Sequence, residues 1–332
     1  MNIFGDVEPT PLELVQNEPW MQVKAKYDIK TFTFGIDAEV NDVDKSGPLP
    51  EGWSWSYSES ECGNRDGKAS WPLKDQYEGD LPISNRGGEV NTAVYNSPEE
   101  LGDAWDQMIA MQEAHIGHEI SVSGRSGGHV HVGVEGLTED RDGMKRLFWW
   151  ATNNWEDITK TNPPAFNIDK ETCDPKLFKY MMGACCSVLR DANLERALAA
   201  DTARGVIDGQ ANQTKDNKPS WMMQRPGLNT TRLRGKGGKH PTIENRSNWG
   251  TRQGKQMANV ALFTAMCIET ALNEPHKTIH DVIAMRDDWD FPPMPHNDQV
   301  MEDNFRKYNY ANGSEITKEL LKEIKETYGW LR

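Results

Sequence analysis

Three things are scarce in this chain of 332 residues: paired cysteines, positive charge and long apolar runs. The five cysteines, Cys62, Cys173, Cys185, Cys186 and Cys267, are odd in number and show no C-x-x-C spacing. That argues against a disulfide framework and against a structural zinc or redox motif, so a reduced, cytoplasmic setting is the expectation. With 37 basic against 51 acidic residues the formal charge is −14, which argues against a general nucleic-acid-binding surface and for a small-molecule partner. No stretch approaches the ~18 consecutive apolar residues of a membrane span. The opening MNIFGDVEPTPLELVQNEPW lacks the basic and apolar regions of a signal peptide. No linker rich in proline, serine or glycine divides the chain and nothing repeats at a fixed period, so one large domain is expected rather than a solenoid or propeller.

What is present is most informative at SGRSGGHVHVGVEG, residues 123–136. In a strand, successive side chains point to opposite faces, so His129 and His131 share one face and Val130, Val132 and Val134 the other. The valine face suits a core and the histidine face suits chemistry; a hydrogen-bonded pair of core histidines is the plainer alternative to a pair of metal ligands. The turn at residues 124–127, with 118–123 before it and 128–134 after it, predicts a β-hairpin.

TFTFGIDAEV (residues 31–40) alternates Phe32, Phe34, Ile36, Ala38 and Val40 against a face that carries Asp37 and Glu39. RGGEVNTAVY predicts another strand with Glu89 and Asn91 on one face. HPTIENRSNWG puts Glu244 and Arg246 on one strand face, Ile243 and Asn245 on the other. Each of these charged sets has an ordinary reading as a solvated or ion-pairing strand face.

SPEELGDAWDQMIAMQEAHI predicts a helix: Ser97 caps it, Pro98 suits the first turn, Glu100 completes an S-x-x-E box, and Leu101, Trp105, Met108, Ile109 and Ile116 form the buried stripe. Further helices are expected over about 140–160, 175–200 and 254–272, and at the C-terminal end from 314. The proline-rich stretch after Asn273 reads as irregular. The aromatic-rich region 51–80 reads as long loops with a short strand at about 53–58, serving as a lid or as plain cover for the sheet. Strands and helices in mixed order with hairpin-like connections indicate an α+β fold with a mostly antiparallel sheet.

If the strands neighbour one another, Asp37, Glu39, Glu89, His129, His131 and Glu244 can converge on one concave face. Many carboxylates with one or two imidazoles favour Mg²⁺ or Mn²⁺ over zinc. Between Arg225 and Lys255 the acidic balance reverses, eight basic residues facing the single acid Glu244, which marks an anion site. An acid beside an arginine makes sense where a cation and a phosphate meet.

The motifs GIDAEV, GGEVNTAVYNSP, SGGHVHVG and TIENRSNWGT, in that order, resemble those of the phage and bacterial amidoligase family, carboxylate–amine ligases of the glutamine synthetase fold. The resemblance spans about residues 32–272 and is most specific at H-V-H-V-G and E-x-R. It implies a twisted, mostly antiparallel half-barrel with helices on its outer face, and a catalytic domain at 31–275 between extensions at 1–30 and 276–332. It also implies two or three divalent ions, Mg²⁺ or Mn²⁺, between ATP and the substrate.

On that pattern Asp37, Glu39, Glu89, His129 and Glu244 are metal ligands, His131 lies in the substrate pocket or just behind the ligands, and Arg246 contacts the transferred phosphate. Arg232 and Arg234 are candidates for the nucleotide phosphates, and Asp66 of NRDGK for a further contribution. Asp37 stands where the family has glutamate, and Asn245 where it has an apolar or aromatic residue. The implied reaction joins a small-molecule carboxylate and an amine through an acyl phosphate. A phosphotransferase on the same fold, a metal-dependent hydrolase and a binding or structural protein without catalysis are the alternatives. A modified nucleic acid as substrate is left open and not favoured.

Overall fold

The computed structural model describes residues 12–41, 43–55, 87–120, 122, 128–161, 191–210, 228–234, 241–246, 248 and 250–291. Among these residues six strands form one antiparallel open sheet: β1 (Thr33–Asn41), β2 (Ser54–Trp55), β3 (Gly87–Asn91), β4 (Gly128–Gly133), β5 (Leu228–Asn229) and β6 (Ile243–Asn245), in the order β2-β3-β1-β4-β6-β5. The helices are α1 (Leu12–Val15), α2 (Pro98–Ile116), α3 (Arg141–Thr161), α4 (Asp191–Leu198), α5 (Ala203–Gln210), α6 (Gly254–Asn273) and α7 (Ile279–Ala284). The fold is therefore α+β with a mostly antiparallel sheet, as the strand and helix patterns predict.

Alternation decides which side of the sheet meets the helices. Phe34, Ile36, Ala38 and Val40 of β1, Val90 of β3, Val130 and Val132 of β4 and Ile243 of β6 are all buried in one apolar core. Fully burying a side chain of the valine, isoleucine or phenylalanine type stabilises by about 1.5–3 kcal/mol, so a slip of one residue in register would forfeit many such gains at once. α6 lies in the helical layer, buried at Met257, Val260, Ala261, Phe263, Ile268 and Leu272, with its polar Lys255 exposed and Glu269 half-buried.

α2 begins as its cap predicts: the Ser97 hydroxyl accepts from the Glu100 backbone N–H at 3.1 Å. The Glu100 carboxylate, however, reaches past Ser97 to accept from the Asn96 N–H at 3.1 Å. Leu101, Trp105, Met108 and Ile109 are buried and Ile116 is half-buried. Arg146 of α3 is buried, donating to the Leu272 carbonyl at the end of α6 and to the Trp20 carbonyl, each at 2.8 Å. One guanidinium thus satisfies helix-end and loop carbonyls that burial would otherwise leave unpaired.

Two expectations need correction. Residues 118–120 form no strand, so the first arm of the predicted hairpin is absent there, and its turn lies outside the described residues. The stretch after Asn273 is not wholly irregular, because α7 forms with a capping box between Thr278 and Asp281. Trp53 is buried, 6.2 Å from the Trp105 ring and donating to the Tyr95 hydroxyl at 2.8 Å, which at this residue agrees with the reading of the aromatic region as cover rather than lid. Residues 56–86, 175–190 and the C-terminal helix from 314 lie outside the described residues, as do Asp66 and every cysteine but the buried Cys267.

Candidate functional site

The face of the sheet turned away from the apolar core carries the charged residues in register. Asp37 of β1 pairs with Asn91 of β3 on one side and His129 of β4 on the other. His131 pairs with Gly35 and with Glu244 of β6, and Glu244 with Asn229 of β5. Directly opposed residues have Cβ atoms ~4.5–5.5 Å apart, so four strands present their polar side chains to one spot.

There His129 Nδ1 lies 2.6 Å from Asp37 Oδ1 and 3.8 Å from Glu244 Oε1. His131 Nε2 lies 3.3 Å from Asp37 Oδ2, while its Nδ1 sits 3.0 Å from the Thr242 hydroxyl. Glu244 is fully buried. Its Oε1 meets Arg246 Nη1, and its Oε2 accepts from Asn229 Nδ2 at 2.7 Å and from Arg232 Nε at 3.3 Å. Burial opposes ionisation of both carboxyls, but the surroundings win. The charges and hydrogen bonds of His129 and His131 hold Asp37 well below the usual carboxylate range. Arg246, with the histidines, holds Glu244 below it against the opposing charge of Asp37. His129 is pulled the other way: burial and Arg246 disfavour its charged form, yet Asp37 and Glu244 raise it overall.

One ligand atom each from Asp37, His129 and Glu244 lies within 4.8 Å of the others. Two ligands on opposite sides of an ion with ~2.1 Å bonds stand about 4.2 Å apart, so this spread is close to that of a single coordination sphere. Two carboxylates and one imidazole suit a divalent cation with mixed oxygen and nitrogen preference. His129 turns its Nδ1 toward both Asp37 and Glu244, and the His131 ring is held by Thr242 on one nitrogen and Asp37 on the other.

Glu39 and Glu89 are paired in register on the same face, half-buried, outside this group of three. Lys45 is near Glu89: burial lowers the ammonium pKa and the Glu89 charge raises it. Arg232 is half-exposed on the 3₁₀ turn Thr231–Arg234. Arg234 ends that turn, and its side chain lies outside the described residues.

Sequence reasoning missed Asn229 and Thr242. An uncharged polar residue in a loop-rich basic stretch carries no periodic signal, and only the β5–β6 register shows that Asn229 faces Glu244. No family model and no curated protein sequence matches this chain.

Proposed function

We propose that the protein is an ATP-dependent carboxylate–amine ligase that works through an acyl phosphate with Mg²⁺ or Mn²⁺, and that its sheet belongs to a glutamine synthetase-like half-barrel. The observation that carries the reading is the meeting of Asp37, His129 and Glu244 on one sheet face with Arg246 against Glu244. The donor set fits a divalent cation, which when bound would neutralise phosphate charge and draw ATP and the acceptor carboxylate into line. Asp37, His129 and Glu244 would hold that cation, with Glu39 and Glu89 as the ligands of a second.

In the reaction, an oxygen of the substrate carboxylate attacks the γ-phosphorus and the bond to the bridging oxygen breaks, releasing ADP. The amine nitrogen then attacks the acyl carbon, the carbon–oxygen bond to phosphate breaks, and the nitrogen gives up a proton. Arg246, buried beside Glu244, would fork onto the oxygens of the transferred phosphoryl group. Arg232, and Arg234 after it, would bind the nucleotide phosphates. His131 would fix the Asp37 carboxylate through Nε2, its ring held by Thr242. No protein nucleophile is required, because positioning and charge neutralisation supply the acceleration.

The test is release of ADP and phosphate from ATP with Mg²⁺ or Mn²⁺, in the presence of pooled carboxylates and amines. Release that needs both pools and falls at least ~100-fold in Glu244→Ala is expected. ADP without free phosphate would indicate phosphoryl transfer to a stable acceptor instead. Absence of nucleotide turnover with every pool would overturn the ligase reading.

A further inference from the structure

We propose that Asn229 is a positioning residue for the metal group, its amide fixing which oxygen of Glu244 turns toward Asp37 and His129. The inference rests on the metal-dependent reading above. Asn229 lies on the short edge strand β5, directly opposite Glu244, and is itself buried. Its Nδ2 donates to Glu244 Oε2 at 2.7 Å, whereas Oε1 is the oxygen that stands 3.8 Å from His129 Nδ1. The two oxygens of a carboxylate are chemically equivalent, and a buried donor on one of them removes that equivalence.

Of the donors on Glu244, the two arginines cannot do this as well. Arg246 binds Oε1, the oxygen that faces the group, and so competes with a cation for it. Arg232 reaches Oε2 from a half-exposed side chain at 3.3 Å, and its charge answers to any phosphate that arrives. An amide carries no net charge and repels no cation. Its being asparagine rather than aspartate matters for the same reason. A second carboxylate 2.7 Å from buried Glu244 would repel it instead of donating to it.

Hydrogen-bond partners of metal-ligating carboxylates typically contribute about 10- to 100-fold to metal affinity. The experiment is titration of the full-length chain with Mn²⁺ alone, free ion being counted by electron paramagnetic resonance, for the wild type and Asn229→Ala. Thermal unfolding of both metal-free proteins is recorded at the same pH. A dissociation constant about 10- to 100-fold weaker in the variant, measured well below its melting temperature, is expected. A purely structural asparagine would lower the melting temperature and leave the dissociation constant of the folded protein unchanged, and that result overturns the inference alone. If Asn229→Ala does not fold, Asn229→Leu, which keeps the branched shape of the side chain without its donor, is read by the same two outcomes. A wild-type protein that binds no Mn²⁺ overturns the metal reading and this inference with it.

Discussion

Arg246 and Glu244 are both buried, so deleting one removes a close charged partner of the other in a poorly solvated place. Breaking such a pair costs ~3–5 kcal/mol. Because Asn229 and Arg232 stay on Glu244, Arg246→Ala is expected at the low end, about 3 kcal/mol of unfolding free energy. Arg232→Ala removes a half-exposed partner of the same carboxylate and should cost no more than ~1 kcal/mol. Urea unfolding of both variants checks this, and equal losses would show that burial does not set the difference. The same pair marks how far single residues were legible. Alternation sorts Asp37, the pair His129 and His131, and Glu244 each to the polar face of its own strand, a local property; that these faces coincide follows from the strand pairing, and Arg246 lies just past the end of β6. Asn245 looked anomalous on the core face; its amide donates to the Thr264 hydroxyl of α6 at 2.9 Å, a partner nineteen residues away that no local pattern reveals.

At the scale of elements, α2 and α6 meet where their glycines allow it. A Cβ on Gly102 would stand 2.6 Å from the Gly254 carbonyl oxygen, and the Gly254 N–H donates to Asp106 of α2 at 2.7 Å. Helix propensity alone favours Gly102→Ala by up to ~1 kcal/mol. Overpacking costs ~1–3 kcal/mol, and a backbone carbonyl, unlike a side-chain tip, cannot turn aside, so the steric term should win. We expect Gly102→Ala to lose about 1–2 kcal/mol of stability in urea, and a stabilised variant would show that the helices can part freely. Both helices were predicted from caps and apolar spacing, but their crossing was not, because a glycine in one helix says nothing about the glycine opposite. α7 was missed for a different reason. Six residues carry too little periodicity, although the T-x-x-D box from Thr278 to Asp281 was a usable start signal.

For the molecule as a whole, face assignment was legible and strand order was not: alternation says which side chains are polar-side, but pairing β1 with β4 joins segments about ninety residues apart. Charge is legible throughout, and it sets an expected pH profile. Asp142 is held below its ordinary value of 3.8: burial opposes ionisation, but Arg141 and Lys24 outweigh it. Asp44 is lowered by hydrogen bonds from Ser46, and Asp281 by those from Thr278. A carboxyl depressed in the folded state contributes stability that is present above its unfolded pKa and lost as pH falls through the folded value. His129 is raised above 6.5, so its contribution is complete below that pH and is lost as pH rises through the folded value. The net charge of −14 acts in the same direction as His129, since self-repulsion grows with pH. The metal-free protein in a chelator should therefore melt highest between about pH 5 and 6.5, losing stability as pH falls through the depressed carboxyl values and as it rises through the raised value of His129. Because exposed charges are screened by salt and buried pairs much less, about 0.3 M NaCl should weaken the share of the alkaline limb that comes from net charge and leave the share of the buried His129–Asp37 pair largely in place. Asp142→Asn should make the acid limb shallower. A melting temperature that climbs steadily from pH 6 to 9 in the chelator would contradict both the His129 assignment and the charge argument.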